Sequence, residues 1–397
     1  MVIGLGAMLG AGVFAAVGPA ARAAGAWLLL GLVLAGLVAY CNATSSAELA
    51  ARHPESGGAY AYGRRRLGPF WGFLAGWAFL AGKLASCAAM ALTVGGYAAP
   101  GLARPVALAA LFAVTVANYQ GVAKTALATR VVVVLVLAAL VAAVAGMLLG
   151  GQAKVGNLDP PGGEGPYGVL QAAGLLFFAF AGYARVATLG EEVVDPARTI
   201  PRAIPLALGI ALAVYAVVCA AALLALGPAA LAVAGAALAE AVAAGRLAWL
   251  EPAVRAGAAV ASLGVLLSLE AGVSRTGFAM AANGDLPGAL AAVHPRNKVP
   301  HRAELAAAVL VGVAVLLVDV RGAIGFSSTL VLCYYAVANA AALRLGPAER
   351  RWPRWLAWLG LAGCLVLAAS LPPASVLAGA AVLAAGAAGW LARRRLG

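Results

Sequence analysis

The first fourteen residues, MVIGLGAMLGAGVF, contain groups that can bind an anion without a charged side chain. They form an apolar helical segment that is interrupted at Gly10, Ala11 and Gly12. Because hydrocarbon offers no hydrogen-bond partner to freed backbone groups, such a break persists only inside protein or beside a polar cavity. The amide groups that start the second half of a broken helix, together with the positive end of its dipole, attract anions. The segment therefore predicts a binding site for a small charged solute.

The same glycines allow two other interpretations. Gly4, Gly6 and Gly10 are spaced GxGxxxG, one residue longer than the GxGxxG pattern of dinucleotide-binding folds. That fold needs a preceding strand and an acid about twenty residues further on, whereas here a second apolar segment follows. Glycine pairs also pack helices closely in lipid, and this second interpretation stays open from the residues alone.

Three ionisable residues, Lys83, Arg185 and Glu270, lie inside apolar segments. A charge at the bilayer centre costs about 2.5–3.5 kcal/mol, so such residues persist when they are paired or face a cavity. We expect Arg185 and Glu270 to form a structural ion pair. For Lys83 we expect a functional role, either as a fixed cation in the place of a coupling sodium ion or as a proton carrier. A pair between Lys83 and Glu270 is the alternative.

The composition is typical of an integral membrane protein. The chain has 397 residues, of which 64% are hydrophobic and 10% charged, and its mean hydropathy is +0.97. A soluble protein of this size needs more charge to cover its surface. The net charge of +13 sits in short loops between apolar segments, which argues against a nucleic-acid partner. The five cysteines lack metal or disulfide spacing, and no nucleophile–base pair is visible, so we expect no metal, no cofactor and no enzymatic activity.

Apolar runs long enough to cross the bilayer recur along the whole chain. We expect an all-α membrane protein of about twelve transmembrane helices, at residues 1–17, 26–50, 69–97, 104–121, 126–150, 168–190, 203–227, 254–282, 303–319, 324–345, 354–371 and 374–392. Lysine and arginine are about three times as frequent in one set of loops as in the other. This bias predicts that both termini are cytoplasmic.

A weak internal symmetry relates the two halves of the chain. Span 6 is interrupted near FAFAGY, residues 178–183, five spans after the break in span 1. Because five is an odd number, the two repeats have opposite orientations, and their broken helices meet near the midplane. We therefore expect one five-helix repeat at 1–150, an inverted repeat at 168–345, and two additional helices at 354–392.

Four segments resemble the amino acid–polyamine–organocation transporters, the superfamily of the amino acid permeases. They are GLGAMLGAGVF (4–14), PESGGAYAYGRRRLGPFWGFLAGW (54–77), FFAFAGYARVATLGEEVVDPARTIPRAI (177–204) and SRTGFAMAANGDLP (274–287). They occur in the order and at the spacing of that superfamily, and the similarity runs to about residue 345. The motifs do not specify a substrate.

The resemblance implies an amino acid bound between broken helices 1 and 6. The substrate carboxylate would meet the amides of helix 1, and its ammonium would meet carbonyl groups freed in helix 6, with Gly182 allowing the bend. Phe178 stands where relatives often place an aromatic gate, although a core-facing ring is the commoner role. The implied substrate-binding residues are Met8, Gly10, Ala11, Gly12, Val13, Phe178, Ala179, Phe180, Ala181 and Gly182.

An inner gate is expected on the cytoplasmic side. The segment PESGGAYAYGRRRLGP is predicted to be a cytoplasmic loop that helps to close the gate. Glu191 and Glu192 would form an ion network there with Arg64 and its neighbours Arg65 and Arg66. As solvated loop charges, the same residues would contribute little.

Two positions depart from the family pattern. Val136 stands where proton-coupled relatives carry a lysine in helix 5, so that route for ion coupling is absent. Ala184 and Arg185 stand where many relatives place an acid after the helix 6 glycine–aromatic pair, which argues against recognition of lysine or arginine.

These observations predict a secondary transporter for an amino acid or a related small amine. It would work in the cytoplasmic membrane by alternating access, with the lipid bilayer as its surroundings and with proton coupling or exchange. One alternative is a polyamine or organic-cation exchanger, which requires an acid in the cavity; Glu270 is the candidate. The other is a membrane receptor that binds an amino acid without transporting it.

Overall fold

The computed structural model describes residues 10–53, 57–121, 126–158, 163–183 and 196–396. Within these ranges the regular structure is helical, and no strand occurs. Eight helical segments there are long and apolar enough to cross a membrane, and the first of them, Gly12–Arg52, combines two helices. The all-α prediction is confirmed, whereas the number of crossings stays a prediction.

Twelve long helices occupy the described residues, and each overlaps one predicted span. In chain order they are α1 Gly12–Ala24, α2 Leu28–Arg52, α3 Pro69–Ala98, α4 Ala103–Tyr119, α5 Ala126–Leu149, α6 Gly165–Phe180, α7 Pro196–Leu226, α8 Glu251–Ala282, α9 His301–Leu317, α10 Val320–Ala342, α11 Arg354–Ser370 and α12 Pro373–Leu396.

The two predicted breaks fall at helix ends in the structure. Helix α1 begins at Gly12 and continues to Ala24, seven residues beyond the predicted end of span 1. Helix α6 ends at Phe180 and passes into a 3₁₀ turn at Ala181–Tyr183. The predicted continuation of span 6 to residue 190 lies outside the described residues.

Helices five positions apart pack against one another. These contacts join α1 with α6, α2 with α7, α3 with α8, and α4 with α9. Such pairing is the arrangement expected when an axis relates two five-helix halves and brings equivalent helices together. The inverted repeat and its boundaries stay predictions, and this packing supports them.

Helix α3 packs against five other long helices, which are α4, α8, α9, α10 and α12. Small residues let these helices approach closely, as expected in a membrane protein. A Cβ atom placed on Gly82 of α3 would lie 3.1 Å from the Cβ atom of Leu330 in α10. The last two helices are also part of the core: α11 packs on α2, α6 and α10.

The predicted cytoplasmic loop between α2 and α3 contains a short helix, Ala59–Arg66, which we call the gate helix. It follows Gly57 and Gly58, whose φ angles of 125° and 57° are accessible mainly to glycine. Tyr60 and Tyr62 are buried and anchor the helix to α3 and α10. Three arginines, Arg64, Arg65 and Arg66, lie in its last turn, where the helix dipole favours cations.

Candidate functional site

The start of α1 meets the end of α6, and the two backbones approach each other at Gly12 and Ala179. A Cβ atom placed on Gly12 would lie 2.6 Å from the Cα atom of Ala179, closer than side-chain atoms approach backbone in proteins. Glycine is therefore required there, because only glycine lets the two backbones come this close. Gly12 therefore marks the start of α1 and also allows the close contact between the two helices.

The start of α1 leaves backbone amide groups without partners inside the helix. The first hydrogen bond of the helix runs from the Ala15 amide to the Ala11 carbonyl, at 3.2 Å. The amides of Gly12, Val13 and Phe14 precede it and have no acceptor within the helix. They lie at the positive end of the helix dipole, which makes this end suited to an anion.

A compact cavity of about 50 Å³ lies between these two helices and helices α3 and α8, which we call the scaffold helices. This volume has room for roughly three to five water molecules. Its walls are mostly apolar or small residues. The lining residues are Ala11, Gly12, Lys83, Ser86, Met90, Phe178, Ala179, Ala181, Gly182, Val265 and Leu269.

The structure brings most of the predicted substrate-binding residues to this cavity. Gly10, Val13 and Phe180 do not line it. The Phe180 ring is fully buried and packs edge to face on Tyr215, with ring centroids 5.2 Å apart. Met8, Arg185, Glu191 and Glu192 lie outside the described residues.

The carbonyl groups at the end of α6 are partly used within the protein. The Tyr215 hydroxyl of α7 donates a hydrogen bond to the Ala179 carbonyl oxygen at 3.1 Å. The Ala181 amide donates to the carbonyl oxygens of Phe177 and Phe178. Each carbonyl oxygen has a second lone pair, so these groups can still accept one more bond. Tyr215 is not among the predicted site residues, and nothing in its sequence context distinguishes it from other tyrosines in apolar helices.

Lys83 brings a positive charge to the cavity. Its side chain is 8% exposed, and the Nζ atom lies 5.7 Å from the centre of the Phe79 ring. Nearby, the Ser86 and Ser327 hydroxyls are 2.7 Å apart and join α3 to α10. No ion pair joins Lys83 to Glu270 among the described side chains.

Glu270 lies elsewhere in the scaffold, where its side chain is fully buried. Its Oε1 atom accepts a hydrogen bond from the Thr115 hydroxyl of α4 at 2.6 Å. Glu270 is not a lining residue of the cavity. The predicted pair with Arg185 involves a residue outside the described ranges.

A network of polar side chains lies on the predicted cytoplasmic side of the protein, which we call the inner side. The Asp285 carboxylate, in the loop after α8, accepts hydrogen bonds from Arg64 at 2.6 Å and from the Tyr60 hydroxyl at 2.7 Å. The Asn283 amide donates to the same hydroxyl at 3.0 Å. Burial, and then the hydrogen bond to Asp285, raises the pKa of Tyr60 to about 12, so this hydroxyl remains a donor. We call Tyr60, Arg64, Asn283 and Asp285 the inner network.

The inner network gives Arg64 a partner that was not predicted, while the predicted network with Glu191 and Glu192 stays a prediction. In the described residues that partner is Asp285, whereas Glu191 and Glu192 lie outside them. Asp285 belongs to the SRTGFAMAANGDLP motif, so its motif was visible in the sequence, although its pairing was not. Arg393 of α12 adds a bond of 2.9 Å to the backbone carbonyl of Asp285.

A second ion pair holds the end of the gate helix. Arg66 donates two hydrogen bonds to the Glu349 carboxylate, at 2.7 and 3.2 Å. These bonds from Arg66, followed by a bond from the Gly346 amide, lower the pKa of Glu349 to about 2. The pair is bidentate but near the surface, so it contributes little to stability.

Tyr97 lies near the end of α3 that is opposite the inner network. Its hydroxyl donates to the Phe14 carbonyl at 3.1 Å and accepts from the Leu238 amide at 3.4 Å. These bonds join α1, α3 and the connection between α7 and α8.

Comparison with known proteins gives a consistent result. The amino acid permease family model matches residues 1–382. The chain is 60% identical to an uncharacterized transporter of Mycobacterium tuberculosis, over 99% of this chain and 90% of that protein. It is 29% identical to the branched-chain amino acid permease of Bacillus subtilis, over 76% of this chain and 69% of that protein. It is 30% identical to human cationic amino acid transporter 4, over 85% of this chain and 58% of that protein.

The family model covers nearly the whole chain, and its match agrees with the all-helical architecture, the apolar helices and the four motifs. The chain is therefore a multi-pass membrane protein that belongs to the amino acid permease family.

Proposed function

We propose that this protein is a secondary transporter that carries an amino acid across the cytoplasmic membrane by alternating access. The observation that carries the proposal is the meeting of Gly12 and Ala179 at the edge of a small cavity. Free amides at the start of α1 would bind the substrate carboxylate. Carbonyl oxygens at the end of α6 would bind its ammonium group.

The polar contacts on either side of the cavity fit a cycle in which each side opens in turn. The inner network joins the gate helix to the loop after α8. Tyr97 joins α1 to the connection between α7 and α8. Each contact consists of a few hydrogen bonds, which contribute about 1 kcal/mol each and can be exchanged for bonds to water. In this proposal both termini are cytoplasmic, and transport is driven by a proton gradient or by exchange.

Lys83 takes part in this cycle as a fixed cation in the place of a coupling ion. It lines the same cavity as Gly12 and comes from α3, which belongs to the scaffold and not to the broken helices. A positive charge at that position would attract the substrate carboxylate, as a bound cation would.

The two alternatives make different demands on the site. A polyamine exchanger needs a carboxylate in the cavity, and none occurs among the described lining residues. A receptor needs only the binding site. Transport and receptor function are distinguished by whether substrate accumulates behind a membrane.

The test is reconstitution of the purified protein into liposomes and measurement of radiolabelled amino acid uptake. We expect saturable accumulation of the labelled amino acid, or counterflow when unlabelled substrate is loaded inside the liposomes. An imposed pH gradient should increase uptake by a proton-coupled transporter but not by an exchanger. Binding without accumulation or counterflow in either condition would contradict the proposal and favour the receptor.

A further inference from the structure

The charge of the cavity lining restricts the substrate more than the motifs do. Among the described lining residues, Lys83 carries the sole formal charge. Ser86 is the other lining residue with a polar side chain, and its hydroxyl is engaged with Ser327 and with the Gly82 carbonyl. The remaining lining side chains are apolar or absent. The described part of the site therefore has a positive charge and no negative one.

The positive charge of Lys83 has no counter-charge in the described part of the chain. The ion pairs there involve Arg64, Arg66 and Arg255. The Lys83 Nζ atom lies 5.7 Å from the centre of the Phe79 ring. Glu270, the described acid inside the neighbouring scaffold helix α8, is bonded to Thr115 and does not line the cavity.

A substrate with a cationic side chain would place a second positive charge close to Lys83. In a cavity this small the two charges are separated by about 5 Å, and at an effective dielectric constant near 20 their repulsion weakens binding by about a hundredfold. A zwitterionic amino acid avoids this cost, because its carboxylate lies nearest the positive groups. Lys83 and the start of α1 both favour that orientation.

Most of the other side chains that line the cavity are apolar. Met90 of α3, Val265 and Leu269 of α8, and Phe178 of α6 form its walls. A short aliphatic side chain fits such walls, and its burial is favourable by about 0.8 kcal/mol for each methylene group removed from water. A polar or long side chain would leave hydrogen-bonding groups without partners.

We propose that Lys83 makes this site selective for neutral amino acids with small aliphatic side chains, and that it excludes arginine, lysine and polyamines. This selectivity rests on the proposed transport function. Lys83 acts here as a specificity-determining residue, and the apolar residues of α3 and α8 set the size of the side chain.

The experiment measures competition for binding of radiolabelled leucine to the purified full-length protein. Alanine, valine and isoleucine should compete at least about a hundredfold better than arginine, lysine or spermidine. In the Lys83→Met variant the affinity for leucine should fall and the preference over arginine should narrow by at least about tenfold. In the Lys83→Arg variant, which keeps the charge, the preference should remain.

The matched control is Arg104→Gln, which removes an exposed positive charge at the start of α4, far from the cavity lining. It should leave the preference unchanged. Equal competition by arginine in the wild-type protein, or an unchanged preference in Lys83→Met, would overturn the selectivity while leaving transport in place. Failure of the folded protein to bind any amino acid would overturn both proposals.

Discussion

The candidate binding site and the inner network both place polar groups inside the protein, but they use different kinds of groups. At the site, backbone amides and carbonyls of α1 and α6 surround an apolar cavity with one lysine. At the inner side, Arg64, Tyr60 and Asn283 converge on the carboxylate of Asp285. Buried charges are costly, and backbone dipoles provide polarity without a net charge. Near water, side-chain charges are inexpensive and their contacts form and break easily.

This difference predicts which changes abolish function and which only adjust it. A change at the site alters fixed geometry, which no side-chain rotation can restore. A change in the inner network alters a balance between two conformations, because water replaces the lost partner. The expected effects therefore decrease from the site outward.

The largest effect is expected for Lys83→Met. The variant removes the sole charge among the described lining residues, so uptake should be abolished while expression in the membrane remains normal. Uptake into cells or liposomes, together with the amount of protein in the membrane fraction, measures this. Normal transport by the variant would remove Lys83 from the mechanism.

The next effect is expected for Gly12→Ala. The added Cβ atom would lie 2.6 Å from the Ala179 backbone, so α1 and α6 must separate. A misplacement of about 1 Å at a site costs on the order of a hundredfold in rate, and uptake should fall by that factor.

The control for Gly12→Ala is Gly272→Ala in α8. Among the described residues, no atom outside the local helix backbone lies within 4 Å of the position of its added Cβ atom, so uptake should be retained. Equal losses in the two variants would show that the close contact between the broken helices is not the cause.

A smaller effect is expected for Asp285→Asn. The change removes the charge that holds Arg64 and weakens the bond from Tyr60, so the inner side should open more often. A loss of about 1 kcal/mol corresponds to roughly a fivefold change in population. A Met90→Cys reporter in a cysteine-free background should then react about fivefold faster with an impermeant thiol reagent applied from the cytoplasmic side.

Glu251→Gln provides the control for the inner network. It breaks the ion pair with Arg255 at the opposite end of α8, where the Glu251 side chain is 29% exposed, compared with 9% for Asp285. The labelling rate of the reporter should not change. If Asp285→Asn also leaves the rate unchanged, the inner network does not control access.

The smallest effect is expected for Glu349→Gln, and it depends on pH. Because the pKa of Glu349 is lowered from its ordinary value of 4.5 to about 2, its ionised form stabilises the folded protein at neutral pH. This contribution is lost as the pH falls from about 4.5 to about 2. The variant should have a slightly lower Tm than the wild type at pH 7 and at pH 5, and the difference should narrow below pH 4.5. A difference that already disappears at pH 6 would contradict the pairing with Arg66.

Much of the fold could be predicted because its signals are local. A run of apolar residues must become a helix in lipid, and each of the twelve predicted spans overlaps one. Glycines at 10 and 12 and the FAFAGY segment mark the helix ends, because glycine and a loss of helical continuity are properties of a few neighbouring residues. The gate helix was harder to predict, since its eight residues are too few for a clear periodicity.

The sequence by itself therefore determined the helical membrane architecture, the family and the places where α1 begins and α6 ends. The tertiary structure decided which distant side chains meet: Asp285 with Arg64, Tyr215 with Ala179, and Glu270 with Thr115 instead of Lys83. The physical reason is that a helix in an apolar sequence can rotate about its axis with little change in its local pattern. Only close packing against neighbouring helices fixes that rotation, and with it the direction in which each polar side chain points.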